Sequence, residues 1–202
     1  QSGARLQAQG VAPEALAQSL DFTADAVNPP GPMGPSRLAL QKPVIAAING
    51  ACMAGGMEIV LGTDIRIAAD HAVFALPEVR RGVIPFAGSL VRMARQIPHA
   101  VAMELLLTGE AVPAVQAQRF GLVTHVVPAG DVMPPALALA QKIAANGPVA
   151  VQAVKRTVRD TSGLALDDAY ALENEAKRVV MASDDAREGP RAFMEKREPR
   201  FL

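Results

Sequence analysis

Residues able to do chemistry concentrate in one stretch of the chain, Asn49-Gly50-Ala51-Cys52-Met53-Ala54-Gly55-Gly56-Met57-Glu58. Adjacent glycines at a helix start let a ligand or another backbone come close, and the first helical N–H groups have no partner within the helix. Such groups can stabilise negative charge developing on a bound molecule. Glu58, three positions after Gly55, falls on the same helical face, so a backbone donor and a carboxylate converge. A second carboxylate, Glu78, follows the strand-like Phe74-Ala75-Leu76 and Pro77, in the kind of strand-end loop where α/β sites gather. Each feature also has a purely structural explanation. The glycines permit tight packing, Glu58 complements a helix dipole, and Glu78 is solvated beside Arg80 and Arg81. Spacing alone leaves both explanations open.

Several chemistries are disfavoured. A dinucleotide site needs Gly-x-Gly-x-x-Gly, which the glycine turn lacks, although Asp70 follows the next strand. Gly50 and Gly55 have the separation of a P-loop, but no Lys-Ser or Lys-Thr follows. Cys52 sits in an apolar setting with no histidine near in sequence and reads as a buried small hydrophobe. His71, His99 and His125 are scattered without metal-ligand spacing, so no structural metal is expected.

The elements that must position these residues follow from periodicity. Pro43–Ile48 is a continuous apolar run, the pattern of a parallel strand covered on both faces, and Asn49-Gly50 stops it. Gly55–Gly62 has the length of a short helix, and Asp64–Ala69 resumes strand-like alternation, giving strand, glycine turn, helix, strand. Beyond Phe74 the pattern is helical over Gly88–Gln96, His99–Leu107, Pro113–Phe120, Pro134–Asn146, Val149–Asp160, Leu166–Met181 and Asp184–Lys196, with Val123–Val127 as a further strand. Upstream, Pro13–Leu20 suits a helix, Pro29–Pro35 an irregular loop, and Arg37–Gln41 a short helical stretch. The expected fold class is α/β, a sheet-containing core over residues 1–130 followed by a helical extension over 131–202.

Composition supports a single well-buried domain. The chain has 202 residues, of which 50% are hydrophobic. Its 20 basic and 20 acidic side chains leave no excess to neutralise a phosphate backbone, so nucleic acid is not an expected partner. No apolar run reaches the roughly 20 residues needed to cross a bilayer, and residues 1–10 lack the regions of a signal peptide. A cytoplasmic protein with no membrane partner is the expectation.

The motifs together resemble the enoyl-CoA hydratase/isomerase family of the crotonase superfamily. They comprise Lys42-Pro43-Val44-Ile45-Ala46-Ala47-Ile48-Asn49-Gly50, Gly55-Gly56-x-Glu58, Asp64-Ile65-Arg66-Ile67-Ala68, Phe74-x-x-Pro77-Glu78 and Gly82-x-x-Pro85. The likeness continues through Glu104–Gly109, Ala117–Val123 and the terminal Glu188-Gly189, Ala192-Phe193 and Glu195-Lys196-Arg197. It implies the crotonase (ClpP-like) spiral of ββα units. The opening Ser2-Gly3-Ala4-Arg5-Leu6 is similar to the family's first oxyanion turn, with Arg5 where an aspartate is usual. The resemblance thus implies that Gln1 is internal to the family fold, whose N-terminal part would precede it.

For the site, the resemblance implies an oxyanion hole from the backbone N–H groups of Ala4 and Gly55, which would hold an acyl-CoA thioester oxygen. It implies catalytic Glu58 and Glu78, acting in hydration of a 2-trans-enoyl-CoA. Glu78 would protonate Cα and Glu58 would orient or activate water. Contacts to acyl-CoA are implied for Ala4, Arg5, Leu6, Gly55, Gly56, Phe193 and Lys196. No separate cofactor is implied, because coenzyme A is part of the substrate. The resemblance also implies a homotrimer or homohexamer, with the C-terminal helices in subunit contacts. Double-bond isomerisation, another acyl-CoA lyase reaction and non-catalytic acyl-CoA binding stay open, since the fold does not select among them.

Overall fold

The structure, a computed structural model, describes residues 36–201. The expected Pro13–Leu20 helix and Pro29–Pro35 loop, and Ala4, Arg5 and Leu6, lie outside the described residues. The described residues divide into two units, 36–39 with 45–133, and 40–44 with 134–201.

In the first unit the chain makes the same move twice. Strand β1 (Ile45–Ile48) ends at Asn49-Gly50, which redirects the backbone into β2 (Ala51–Met53) and then helix α1 (Gly55–Leu61). Strand β3 (Ile65–Ala69) ends at Asp70–Ala72, which leads into β4 (Val73–Ala75), a 3-10 turn at Pro77–Arg81, and helices α2 (Ser89–Gln96) and α3 (His99–Thr108). The second pass lies beside the first. Thus β1 pairs in parallel with β3, Ile45 opposite Ile65, and β2 in parallel with β4, Cys52 opposite Phe74. Among the described residues two sheets result, β1-β3-β6 and β2-β4-β5, completed by β5 (Val112–Pro113) and β6 (His125–Val127), with α4 (Ala114–Arg119) between. Among the described residues only the β4–β5 pair is antiparallel. This is a crotonase-type spiral of ββα units.

Helix α1 turns Met57, Val60 and Leu61 into the core, where they meet Ile48, Cys52, Phe74 and Met93. The packing explains why α1 exists at seven residues, since isolated helices that short are not stable in water and depend on tertiary burial.

Four local expectations are corrected. β1 is not covered on both faces: Ile45–Ala47 are half-buried and only Ile48 is buried. Among the described residues β1 has a single neighbouring strand, which leaves it at an edge. The glycine turn contains a strand, β2, whose pairing with β4 rather than any alternation of its own makes it extended. The loop at Glu78 is a 3-10 turn, begun by Pro77 and closed by Gly82 at φ 70°. Arg37–Gln41 is irregular chain with bends at Arg37 and Gln41, not helix.

The second unit holds α5 (Met133–Ala144), α6 (Pro148–Asp160), α7 (Leu166–Met181) and α8 (Asp185–Met194). The carboxylate of Asp185, buried, accepts the Val149 N–H at 3.2 Å and lies against Gly147, closing the start of α6. Lys155 on α6 donates to the Lys42 carbonyl at 2.8 Å. Helices α6 and α7 also carry exposed apolar side chains, among them Val154, Val158, Leu166, Tyr170 and Met181. No helix among the described residues is long and apolar enough to cross a membrane.

Candidate active site

The corner between β2 and α1 is set by Ala54, at φ 50° and ψ −125°. This is a backbone region that residues with a Cβ rarely adopt, and it persists where the surroundings hold it. Here both backbone groups of Ala54 are tied: its N–H donates to Ala75 O at 3.0 Å, and its carbonyl accepts the Glu58 N–H at 3.1 Å. The helix ladder therefore starts at Glu58, and the N–H groups of Gly55, Gly56 and Met57 precede it. Ala54, at the N-cap, supplies no side-chain cap to this start.

Glu58 lies on the first turn of α1 and is 5% exposed. Its Oε1 accepts the backbone N–H of Ala87 at 2.6 Å and the hydroxyl of Ser89 at 2.8 Å. Both donors come from one turn, Phe86–Ser89, which Gly88 bends at φ 106°. A buried carboxylate with two donors on one oxygen has a fixed direction.

Glu78 is half-buried on the 3-10 turn. Its Oε2 is fully buried and has no hydrogen-bond partner among the described residues. Burial pushes the Glu78 carboxyl above the usual glutamate range; its own backbone N–H opposes this, and the charge of Glu58 adds to it. The two glutamates are therefore within electrostatic reach of each other, and one of them is disposed to hold a proton. Such an arrangement can donate a proton at one place and accept or orient a proton-bearing group at another.

The far end of α1 is held by Arg66 on β3, which is buried. Its guanidinium donates to the carbonyls of Val60, Leu61, Thr63 and Leu122 and to Gln96 Oε1, at 2.8–3.3 Å. Burial lowers its pKa to about 10, so it is a cation at neutral pH facing the negative end of the α1 dipole.

The structure thus brings Gly55, Gly56 and Glu58 together on one helix start, with Glu78 within electrostatic reach of Glu58. Phe193 and Lys196 belong to the second unit. Phe193 is 82% exposed. Lys196 does not lie on the terminal helix: α8 ends at Met194, and Lys196 is an exposed residue at φ 54° whose N–H bonds Phe193 O, while the Arg197 N–H reaches back to Ala192 O. That bond pattern closes a helix through a left-handed residue. Cys52, as expected, is buried, and burial raises its thiol to about 11. His99 and His125 are exposed at the starts of α3 and β6. No metal-holding cluster of three or more His, Cys, Asp or Glu occurs among the described residues.

Residues 36–202 match the sequence profile of the family described as "Enoyl-CoA hydratase/isomerase". The chain belongs to the enoyl-CoA hydratase/isomerase family. That family is enzymatic and has the crotonase fold. The chain is 45% identical over 195 residues to the enoyl-CoA hydratase EchA19 of Mycobacterium tuberculosis, covering 90% of this chain and 73% of that protein. It is 42% identical over 166 residues to a carnitinyl-CoA dehydratase of Proteus mirabilis, covering 80% and 64% respectively. A crystal structure of an enoyl-CoA hydratase from Mycobacterium tuberculosis H37Rv superposes with a TM-score of 0.83 at 39% identity, covering 94% of this chain and 73% of that one. The chain therefore spans about two thirds to three quarters of the length of these family members.

Sequence reasoning missed three contributors to this site: the Ala87 N–H, the Ser89 hydroxyl and Arg66. The Ala-Gly-Ser sequence ahead of an amphipathic helix was the available signal for Ser89. A backbone donor such as Ala87 leaves no side-chain signature at all.

Proposed function

We propose that the protein catalyses reversible addition of water to the double bond of a 2-trans-enoyl-CoA, giving a 3-hydroxyacyl-CoA. The observation that carries this reading is the pair of unlike carboxylates: Glu58 fixed by two donors, and Glu78 with a buried oxygen and a raised pKa. In the reaction the hydroxyl of water bonds to Cβ, the displaced π electrons form an enolate at the thioester, and a proton is delivered to Cα. Glu78 supplies the Cα proton, and Glu58 orients the water and takes its proton. The enolate oxygen lies between the N–H groups of Ala4 and Gly55. Arg5, Leu6, Gly56, Phe193 and Lys196 contact the acyl-CoA, and coenzyme A enters only as part of the substrate.

The uncapped start of α1 and its Gly55-Gly56 pair support the oxyanion role of Gly55. The relatives named as an enoyl-CoA hydratase and a carnitinyl-CoA dehydratase support hydration and its reverse as the reaction class. The exposed apolar residues of α6 and α7 support assembly into a trimer or a pair of trimers.

The deciding experiment incubates the purified protein separately with 2-enoyl-CoA and 3-enoyl-CoA and identifies the products. Formation of 3-hydroxyacyl-CoA from the 2-enoyl substrate is expected. Rapid double-bond migration without hydration would replace this reading with isomerisation, and binding without turnover across several chain lengths would replace it with acyl-CoA capture.

A further inference from the structure

The turn that holds Glu58 is itself held. One peptide group joins Phe86 to Ala87, and both of its polar atoms are engaged. Its N–H donates to Glu58 Oε1 at 2.6 Å, and its carbonyl oxygen, that of Phe86, accepts from Arg37 Nη2 at 2.6 Å. In a trans peptide the C=O and N–H point in opposite directions within one plane. Fixing the oxygen therefore fixes the line along which the N–H points. A cation on the oxygen also polarises the amide, which makes its N–H a stronger donor.

A second observation places the same two segments together. A Cβ added at Gly88 would meet Ser36 O at 3.5 Å and Arg37 Cγ at 3.8 Å, so the Phe86–Ser89 turn packs directly on Ser36-Arg37. Gly88 at φ 106° supplies the bend that lets Ala87 and Ser89 reach one carboxylate oxygen from the same side. Ser89 is fully buried, so its hydroxyl has no solvent alternative to Glu58.

We infer that Arg37 is a positioning residue for Glu58, acting through the Phe86–Ala87 peptide to fix the direction of that carboxylate. The inference rests on the proposed role of Glu58 in directing water. Arg37 bonds the Phe86 carbonyl and acts on Glu58 only through the peptide group. Its removal weakens one donor to a charged acceptor and leaves the Ser89 hydroxyl in place, so the reaction slows without stopping.

The test compares wild type, Arg37→Ala and Arg37→Lys by two readouts. The first is steady-state hydration of a 2-trans-enoyl-CoA. Arg37→Ala is expected to lower kcat by about tenfold, the size of one weakened hydrogen bond to a charged group, with KM unchanged. Arg37→Lys, which keeps a cationic donor, should recover most of the loss. A raised KM at unchanged kcat would overturn the inference, because it would mean that Arg37 meets the substrate rather than the turn. Equal kinetics in all three proteins would overturn it as well. The second readout needs no activity. In an amide NMR spectrum the Ala87 proton should lie far downfield in wild type, move upfield in both Arg37→Ala and Glu58→Gln, and return in Arg37→Lys. An Ala87 signal unmoved by Arg37→Ala sinks the inference whether or not the protein hydrates enoyl-CoA. Absence of hydration in wild type with the expected Ala87 shifts would instead sink the proposed function alone.

Discussion

Glu58 and Glu78 carry the same functional group into opposite surroundings. Glu58 stands on a regular helix, and one of its oxygens takes a backbone N–H and a serine hydroxyl. Glu78 stands on a single 3-10 turn, with one oxygen sealed from solvent and without a hydrogen-bond partner among the described residues. Donors fix a carboxylate's direction, whereas burial without donors makes its charge costly and favours the protonated form. The contrast teaches that the different states of two identical side chains are set by the segments around them: the turn Phe86–Ser89 for one, the end of β4 for the other.

The largest effect that would break this comparison is on turnover. Glu78→Gln and Glu58→Gln are each expected to lower hydration by roughly 10²–10⁴-fold, the usual contribution of a positioned acid or base, while binding of a 3-hydroxyacyl-CoA measured by calorimetry stays close to wild type. Full turnover in either variant would remove that glutamate from the reaction.

A smaller effect sharpens the assignment of the proton. Because the Glu78 carboxyl is raised above the ordinary glutamate value, its protonated form persists to higher pH. Activity that needs the acid is present below its pKa and falls as pH rises through it. The charge of Glu58 is one cause of that rise. The residual activity of Glu58→Gln should therefore lose its alkaline limb at lower pH than wild type does. An unmoved or upward-moved limb in a pH–rate profile would show that the two carboxyls are not coupled during turnover.

The smallest effect concerns the corner ahead of Glu58. Ala54 occupies a backbone region suited to glycine, at a cost of order 1–3 kcal/mol, whereas glycine loses about 0.5–1 kcal/mol in conformational entropy. Ala54→Gly is expected to raise stability by about 1 kcal/mol in urea unfolding and to leave turnover unchanged. A loss of stability would mean that the Ala54 methyl packs more favourably than the strain costs.

Much of this arrangement was legible in the chain itself, for identifiable reasons. Gly55-Gly56 followed by Met57, Val60 and Leu61 at helical spacing marks α1 and fixes where Glu58 stands. The apolar run of β1 and the alternation of β3 mark the parallel pair. β2 escaped because a three-residue strand between Gly50 and Gly55 has no period of its own and is extended only by pairing with β4. Glu78 stands out in the sequence as a candidate, but its turn does not, since a 3-10 turn differs from a loop only in hydrogen bonds. Arg66 went unnoticed as an anchor because its partners are carbonyls of Val60, Leu61, Thr63 and Leu122, and carbonyls look alike in every residue. The helical pattern runs on to Lys196, whereas the chain there turns left-handed to close α8.

The lone cysteine of the chain, Cys52, sits in the middle of β2, two residues ahead of the Ala54 corner. Buried and held protonated by burial, its thiol meets a reagent through local opening of the structure around β2. The protein thus contains its own clock. The rate at which a chromogenic disulfide labels the unmodified chain reports how often the strand feeding α1 opens, and slower labelling with an acyl-CoA present would measure how firmly a bound ligand keeps that strand shut.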